Sequence, residues 1–484
     1  MPDFLTVFAL IGIVLTLSAL ASGVVARAPV SFPILFLGLG FLLGKHGLGI
    51  IAMAPHDRIL EAVATVSLAF VLFLDAVRLR FDELGKDWFV PILVLGPGTL
   101  LTIALIALAA WLFVGAAPVQ ALLLGAILSS TDPVVLRDVI HDTRIPRSIR
   151  HTLGIEAGTN DLVVLPIVLV LIAAALARLG GALDWLTFLV RVVVLGPLVG
   201  FAIGGVGAWA LGKVDAWLGV SRAYQALYGV GLILGAYVAG VVVGGDGFLA
   251  AFAAGIATVV LNYDLCDCFL EYGEVTAEMA MLLAFILFGA VLSSLLETVA
   301  LGPALVLAAL ALGVARPLAL SLVLLRATMS RSARAFIGWF GPRGLNSLLL
   351  ALLVVQNGVP AAEWLLAITG VVVIVSVVMH GVSATPLSAW YGRVVVRETL
   401  PEERESSAAG LLRETTDDVP RVTPQELAER LTSPHRPLDL DVRTRSAYRA
   451  EAVQIPGSMR VLPDRILEWA VEQPRQQPIV AYCS

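Results

Sequence analysis

The sequence predicts an all-α polytopic membrane protein with about thirteen transmembrane helices, followed by a small α/β tail. Of its 484 residues, 58% are hydrophobic and only 14% are charged, whereas a soluble domain is about half apolar and a quarter charged. The apolar residues fall in runs of about 20, the length that a helix needs to cross a bilayer. After residue 391 the sequence becomes charged and much less apolar.

The apolar runs predict the positions of the transmembrane helices. The first run lacks a basic start and a small-residue cleavage site, so it is predicted to be a helix rather than a signal peptide. The eighth and ninth runs are separated only by the sequence GGDG. The predicted spans are 4–25, 31–50, 58–77, 89–114, 118–140, 152–178, 184–211, 223–244, 247–263, 274–296, 301–325, 335–356 and 362–390.

The distribution of Lys and Arg predicts the orientation. The loops on one side carry fifteen of these residues and the loops on the other side carry four. Because basic loops stay in the cytoplasm, the N-terminus is predicted outside and the C-terminus inside the plasma membrane. The net charge of −5 offers no basic surface for nucleic acid.

The composition divides the chain into three predicted regions. Residues 1–392 form the transmembrane domain, 393–421 a cytoplasmic linker, and 422–484 a small soluble domain. Within the last region, TPQELAERL predicts a capped helix and PLDLDV a strand. PDRILEWAVEQ predicts a second helix and PIVAY a second strand.

Charged residues at membrane depth cost several kcal/mol and are therefore candidates for function. Asp75, Asp246, Glu278 and Arg316 lie nearer the ends of predicted spans or at a depth that the spans do not define, so we expect interfacial charges or local ion pairs, such as Asp75 with Arg78. The deep charged residues are Asp132, Glu156, Asp161 and Arg343.

The stretch GIEAGTNDLVVLPIVLVL, residues 154–171, places Glu156, Asn160 and Asp161 on one polar sector of a helix. A carboxylate with amide and backbone oxygens can replace the water around a hard cation. Burial disfavours a charged carboxylate, so a proton can compete with the cation. The alternative is a polar network that only holds helices together.

The stretch ILSSTDPVVL, residues 127–136, predicts a broken helix. Pro133 has no N–H, so the carbonyl of Ser129 loses its helical donor. Thr131 and Asp132 suit an N-cap and Pro133 the first position of a new helix. Such a break lies inside the membrane only where protein or a wet cavity covers it, and it often marks a substrate site. The alternative is a simple proline kink capped by Asp132.

The stretch WFGPRGLNSLLL, residues 339–350, predicts a second break, because Pro342 and two glycines interrupt a late span. A buried arginine needs a carboxylate partner. We expect Arg343 to pair with Glu156, since Asp161 must remain open for exchange. The alternative is an arginine at the cytoplasmic interface.

Together, SSTDPVV, EAGTND and FGPRGL resemble the CPA1-type monovalent cation:proton antiporters, which include the Na⁺/H⁺ exchangers. The stretch VLFLDAVRLRFDEL, residues 71–84, also resembles the end of the third helix in this family. The resemblance covers residues 1–392. It implies inverted repeats with two crossing broken helices, a moving ion-carrying domain and a homodimer.

The resemblance also implies the role of individual residues. Asp161 would bind the proton or the cation, with Asn160 as support and an oxygen of Thr131 completing the Na⁺ site. Asp132 would neutralise helix ends, and Glu156 would pair with Arg343. The candidate ion- and proton-binding residues are Asp161, Asn160, Glu156, Thr131, Asp132 and Ser129.

These features predict a secondary transporter rather than an enzyme, without a cofactor. It would exchange Na⁺, or Li⁺ or K⁺, for H⁺ by alternating access. One exchangeable carboxylate is neutral with either ion bound, which predicts electroneutral one-for-one exchange. Ala157 departs from the family, in which many members have a serine, and this leaves the preference for Na⁺ or K⁺ open. A passive channel is the alternative, but no filter sequence repeats along the chain.

The tail resembles a rhodanese-like domain through PLDLDVRTRSAYR, IPGSMRVLP and PIVAYCS. Cys483 lies where that family has its persulfide-forming cysteine, and Gln454 replaces the usual histidine. The loop of backbone N–H donors that would follow Cys483 is not in the sequence, so we expect an inactive partial domain. A membrane-tethered sulfurtransferase or redox sensor is the alternative. Cys266 and Cys268 are expected to be ordinary loop residues.

Overall fold

The structure is a computed structural model of the full chain. It describes residues 32–79, 89–177, 180–261, 263–397, 422–431, 436–443, 445–450, 453–471, 473–474 and 478–482, with a few positions between 9 and 20. Most of the first predicted span, 4–25, and Cys483 lie outside the described residues. So does the end of the stretch 71–84.

Helices occupy every predicted span that falls within the described residues. Eight of these helices are long and apolar enough to cross a membrane, and four shorter apolar helices accompany them. In chain order the helices are α1 Phe32–Leu43, α2 Arg58–Val77, α3 Phe89–Val114, α4 Pro118–Ile127, α5 Pro133–His141, α6 Arg147–Ala175, α7 Ala182–Leu218, α8 Arg222–Val242, α9 Gly247–Leu261, α10 Tyr263–Leu295, α11 Leu301–Arg326, α12 Arg331–Trp339, α13 Leu345–Gln356 and α14 Ala362–Arg397. The predicted fold class, an all-α polytopic membrane protein with two broken helices, is therefore confirmed.

Two predicted spans are each split into a pair of short helices. The first pair, α4 and α5, is separated by residues 128–132, and α5 begins at Pro133. The second pair, α12 and α13, is separated by residues 340–344, which contain Pro342. Both breaks follow from proline, which cannot donate the backbone hydrogen bond that a continuous helix needs.

Several helices extend further than the hydropathy pattern predicts, and α10 and α14 are two of them. Helix α10 begins at Tyr263 rather than near residue 274, so Cys266 and Cys268 lie within a helix and not in a loop. Helix α14 continues to Arg397, past the predicted end at residue 390. Hydropathy detects the apolar part of a helix, whereas the backbone hydrogen bonds of these two helices continue into polar sequence.

The chain forms two compact units by its internal contacts. The first contains the described parts of 1–136, 155–323 and 338–382, and the second contains 137–154, 324–337 and the described parts of 383–484. In the first unit, the apolar segments of α2 and α10 are two-thirds buried, whereas that of α7 is only 17% buried. The interior of the first unit thus lies around α2 and α10, and the exposed apolar surface of α7 suits lipid or another protein.

The second unit includes the described part of the C-terminal tail. The helices described in the tail are α15 Pro424–Leu431, α16 Arg445–Ala450 and α17 Ile466–Val471. Its strands are β1 Leu438–Asp441, β2 Met459–Arg460 and β3 Ile479–Tyr482. The strands form a parallel sheet in the order β2-β1-β3. Thr423 and Glu426 form a capping box at the start of α15. The predicted helices and strands of the tail are confirmed at these positions.

Candidate functional site

Asp161 lies where α6 meets both broken helices, and side chains hold both of its carboxylate oxygens. The hydroxyl of Ser130, in the first break, donates to Oδ1 at 2.6 Å. The amide Nδ2 of Asn346, in the first turn of α13, donates to Oδ2 at 2.7 Å. All three side chains are buried. One carboxylate thus joins three separate segments of the first unit.

Asp132 joins the N-termini of two helices. Its Oδ1 accepts from the backbone N–H of Val134 at 2.8 Å and its Oδ2 from that of Leu345 at 2.7 Å. These groups begin α5 and α13, whose unpaired N–H groups favour a negative charge. The backbone N–H of Asp132 donates to the carbonyl of Pro342 at 2.9 Å. Asp132 therefore neutralises helix ends where the two breaks cross.

Arg343 makes the complementary contact in the second break. Its Nη1 donates to the carbonyls of Ser129 and Ser130 at 2.8 and 3.0 Å. These carbonyls follow the C-terminal end of α4, and Pro133 leaves that of Ser129 without a helical donor. The backbone N–H of Arg343 donates to Ser376 Oγ at 2.6 Å. Arg343 is fully buried, so the interfacial alternative does not apply.

The predicted pairing of Arg343 with Glu156 is wrong. Arg316, on α11, donates to both carboxylate oxygens of Glu156, with Nη2 at 2.8 Å from Oε2. The same Nη2 is 3.0 Å from the carbonyl of Phe340, which follows the end of α12. Arg316 is 3% exposed, so the expectation of an interfacial charge is also wrong. The reason is that Arg343 is already bound to the carbonyls at the first break, whereas α11 brings Arg316 to Glu156.

The glycines of GPRG allow these side chains to approach the second break. A Cβ atom on Gly341 would overlap the guanidinium of Arg316, and one on Gly344 would overlap the carboxylate of Asp132. The close approach of these two side chains to the backbone therefore explains why glycine occupies both positions.

The remaining predicted site residues fall into two groups. The hydroxyl of Ser129 donates to the carbonyl of Ala126 at 2.8 Å, and its own carbonyl accepts from Arg343. Ser129 is thus bound elsewhere, and Ser130 holds the position beside Asp161. In contrast, Thr131 Oγ1 and Asn160 Oδ1 are buried oxygens without a hydrogen-bond partner among the described residues. In the sequence, Thr131 follows Ser130 and Asn160 precedes Asp161, so both residues are neighbours of this hydrogen-bonded pair.

Sequence reasoning missed three residues of this site, although each left a signal. Arg316 lies well inside the predicted span 301–325, and this depth indicated burial. Asn346 follows the second break directly, as one of two polar residues before an apolar run. Ser130 lies within the predicted first break. Nothing in the sequence, however, specifies which of these side chains reaches Asp161.

Asp75 forms the predicted local ion pair, because its Oδ1 is 3.5 Å from Nη1 of Arg78. Its side chain is nevertheless only 2% exposed on α2, so Asp75 is a buried acid and not an interfacial one. Its carboxylate faces Gly158 of α6, because a Cβ atom on that glycine would be 4.0 Å from Oδ1. The buried part of α6 therefore has a second acid beside it.

The fixed charges where the two breaks cross balance each other. Two arginines and two acids lie at the crossing, and each is bound to a helix end, to its counter-ion, or to both. These residues are Arg316, Arg343, Glu156 and Asp132. The Asp161 carboxylate is additional to this balanced set, and its two described partners are neutral. An added proton or monovalent cation would restore neutrality.

Two broken helices that cross beside a buried carboxylate define a class of protein, the secondary transporters of small ions. The profile of the family described as "Sodium/hydrogen exchanger, transmembrane" matches residues 12–390. The chain therefore belongs to the sodium/hydrogen exchanger family. It is a cation/proton antiporter, and the predicted class of secondary transporter is confirmed.

Two relatives of similar sequence are named as K⁺/H⁺ antiporters. The chain is 29% identical over 401 residues to the K⁺/H⁺ antiporter NhaP of Alkalimonas amylolytica, covering 81% of this chain and 68% of that protein. It is 29% identical over 395 residues to the K⁺/H⁺ antiporter NhaP2 of Shewanella oneidensis, covering 79% and 67% of the two chains.

A solved structure has a similar fold. It is that of the sodium proton antiporter MjNhaP1 from Methanocaldococcus jannaschii at pH 8, with a TM-score of 0.65 and 20% sequence identity. The similarity covers 80% of this chain and 97% of that one. At this identity the similarity concerns the fold alone.

Proposed function

We propose that this antiporter exchanges one monovalent cation for one proton, and that both bind in turn to Asp161. One observation carries the proposal. Asp161 is a buried acid whose two described partners, Ser130 and Asn346, are neutral side chains. The sequence neighbours of this hydrogen-bonded pair, Thr131 after Ser130 and Asn160 before Asp161, each have a buried side-chain oxygen without a hydrogen-bond partner among the described residues. Such oxygens can bind a cation that has lost its water.

The order of events follows from charge. With Asp161 ionised, the set of charges at the crossing has one uncompensated negative charge, which is costly in a medium of low dielectric constant. Binding of either a proton or a monovalent cation removes this cost. The loaded forms are thus favoured for the change between inward- and outward-open states, and the empty form is not. This requirement couples the two ion movements and makes the exchange electroneutral.

The proposed cation is Na⁺, which the description of the family as sodium/hydrogen exchangers supports, with K⁺ as the second candidate. The names of the relatives, K⁺/H⁺ antiporters with 29% identity, favour K⁺. Ala157 offers no side-chain oxygen next to Glu156, so the site has fewer fixed ligands than one with a serine there. A site with few fixed ligands discriminates less between cations of different radius.

The location follows from the distribution of charge. We place the protein in the plasma membrane, with its N-terminus outside and its C-terminus in the cytoplasm, because the basic loops predict this orientation. The exposed apolar surface of α7 supports a homodimer in the bilayer. The cations, the protons and the lipid bilayer are then its partners, and no nucleic acid is among them.

The domain boundaries and the nature of the tail are part of the same proposal. Residues 1–392 would perform transport, 393–421 link, and 422–484 form a partial rhodanese-like domain. The parallel sheet with β1 at its centre supports an α/β domain of this type. Sulfur transfer at Cys483 is the second candidate function for the tail, on the resemblance of PIVAYCS alone. Loss of cyanide:thiosulfate turnover in Cys483→Ser would support it.

Proton flux in proteoliposomes tests the main proposal. Purified protein is reconstituted with a pH-sensitive dye inside and the membrane potential clamped at zero. Addition of Na⁺, K⁺ or Li⁺ to the wild type should dissipate a preset pH gradient with saturable kinetics. Asp161→Asn should abolish the response to all three ions. Asp184→Asn, which changes an exposed aspartate at the start of α7, is the matched control and should respond like the wild type.

Two outcomes would contradict the proposal. If Asp161→Asn still dissipates the pH gradient when a cation is added, Asp161 is not the exchanging group. An ohmic current without proton movement would instead identify a channel. The relative half-saturation of the three ions in the same assay decides between Na⁺ and K⁺.

A further inference from the structure

Asn346 is the contact between the second broken helix and the exchanging carboxylate. It lies in the first turn of α13, is buried, and donates to Asp161 Oδ2 at 2.7 Å. Asp132 fixes the start of the same helix by accepting from the N–H of Leu345 at 2.7 Å. The amide of Asn346 is therefore held against Asp161 by the capped end of its own helix.

We propose that Asn346 is a positioning residue that stabilises the ionised form of Asp161 and so sets the balance between proton and cation at this site. The inference rests on the proposed role of Asp161. Asn346 lies outside SSTDPVV, EAGTND and FGPRGL, the three motifs that carry the family resemblance.

The physical basis is the difference between two states of the acid. A hydrogen bond from an N–H donor to an ionised carboxylate is about twice as strong as one to a neutral acceptor. Loss of the Asn346 donor therefore destabilises ionised Asp161 more than protonated Asp161. The proton would then compete better, and a cation would need a higher concentration or a higher pH to replace it.

The other groups around Asp161 determine why this donor matters. Like charges face it from α2 and from the first break, at Asp75 and Asp132. On α6 itself, Glu156 is neutralised by Arg316, and Arg343 is bound to the carbonyls of the first break. Hence two neutral donors, Ser130 and Asn346, offset the repulsion from two acids.

Transport against pH in proteoliposomes tests the proposal. In Asn346→Ala, the acid limb of the pH profile should move up by about one pH unit, which is a tenfold change in proton occupancy. The apparent KM for the cation near neutral pH should rise about tenfold, whereas the maximal rate at alkaline pH should change little. Asn346→Ser keeps a donor and should give a smaller shift.

Asn346→Asp is an independent test, because the aspartate side chain has a volume similar to that of asparagine. Two carboxylates at this separation share a proton, so its profile should move further towards alkaline pH than that of Asn346→Ala. Asn357→Ala is the matched control, because Asn357 ends the same helix and donates to the carbonyl of Leu353. Its pH profile and KM should match those of the wild type.

The results separate this inference from the proposed function. If Asp161→Asn is inactive but Asn346→Ala keeps the wild-type profile and KM, the inference on Asn346 is wrong and the proposed function stands. If Asp161→Asn remains active, the proposed function fails first. Should Asn346→Ala not fold, Asn346→Asp and Asn346→Ser carry the test, and a wild-type profile in Asn346→Asp overturns the inference.

Discussion

Two acids on helix α6, Glu156 and Asp161, have nearly the same burial but different partners. They are 2% and 4% exposed. Glu156 is paired with the guanidinium of Arg316, whereas Asp161 accepts from the neutral side chains of Ser130 and Asn346. The first acid has a permanent counter-charge and the second does not.

This difference teaches how one helix can hold both a structural and an exchangeable acid. A buried carboxylate with a fixed arginine gains nothing from a proton or a cation, so it remains ionised and holds helices together. A buried carboxylate with only neutral donors is stable when a mobile ion neutralises it. The role of each acid thus depends on its partner rather than on its depth.

Removal of Arg316 should have the largest effect on stability. Arg316→Ala leaves Glu156 buried and unpaired, and the loss of one partner of a buried ion pair costs about 3–5 kcal/mol. Thermal unfolding in detergent, followed by tryptophan fluorescence, should show a large fall in the midpoint. Arg58→Ala, at the exposed start of α2, is the control and should unfold like the wild type.

A double-mutant cycle sharpens this result. Glu156→Gln should rescue much of the stability lost in Arg316→Ala, because the unpaired charge is then absent. It should not rescue Arg343→Ala. A rescue of Arg343→Ala alone would restore the pairing that the sequence predicts and contradict the pairing in the structure.

Asp132 should contribute to stability without being the exchanging group. Asp132→Asn keeps one acceptor oxygen but loses the second. The backbone N–H of either Val134, in α5, or Leu345, in α13, is then left without an acceptor. A buried donor without a partner costs about 1–3 kcal/mol. We expect a lower unfolding midpoint and slower exchange, with the ratio of cations to protons unchanged. Complete loss of exchange in a variant that unfolds like the wild type would instead make Asp132 an exchanging residue.

Ser130 should have a smaller effect, on ion affinity. Ser130→Ala removes one donor to Asp161, and a hydrogen bond to a charged group contributes about 1.5–3 kcal/mol. Asn346 still donates to the same carboxylate and limits the loss. We therefore expect an increase of about tenfold in the apparent KM for the cation. Initial rates against cation concentration at fixed pH would measure it. The neighbouring change Ser129→Ala should leave this KM unchanged, because that hydroxyl is bound to Ala126.

The smallest effect on transport should come from the tail. Burial acts to raise the pKa of Asp441, but hydrogen bonds from Arg443, at 2.6 Å from Nη2 to Oδ2, outweigh it and hold this pKa below its ordinary value. The resulting stability of the folded tail is present above the ordinary pKa of an aspartate, about 4, and is lost as the pH falls through the lower pKa of the folded state.

Asp441→Asn removes this contribution at neutral pH. We expect faster cleavage of the tail by trypsin in the full-length protein, with transport rates equal to those of the wild type. Asp138→Asn, which changes an exposed aspartate of α5, is the control for cleavage. Loss of transport in Asp441→Asn would show that the tail is needed for exchange.

The helices and both breaks could be predicted because their causes are local. Apolar runs define the spans, and Pro133 and Pro342 each remove a backbone donor at a known position. The capping role of Asp132 was predictable for the same reason, since Val134 is two residues away. Its second contact, with Leu345, was not visible in this way.

The partners of the buried charges could not be predicted because they depend on how distant helices approach each other. Arg316 and Arg343 are both buried arginines, and only the position of α11 decides which one reaches Glu156. Ser129 and Ser130 are neighbours, but only one of them faces Asp161. Both serines lie in the break between α4 and α5, where no regular helical rotation fixes the direction of each side chain.

Proton release on cation binding tests the central claim most directly. Isothermal titration calorimetry of the detergent-solubilised protein with Na⁺ or K⁺, in buffers of different ionisation enthalpy, gives the number of protons released per cation bound. We predict about one proton per cation for the wild type at a pH where Asp161 is protonated, and no cation binding in Asp161→Asn. Cation binding without proton release, or unchanged binding in Asp161→Asn, would contradict exchange at this carboxylate.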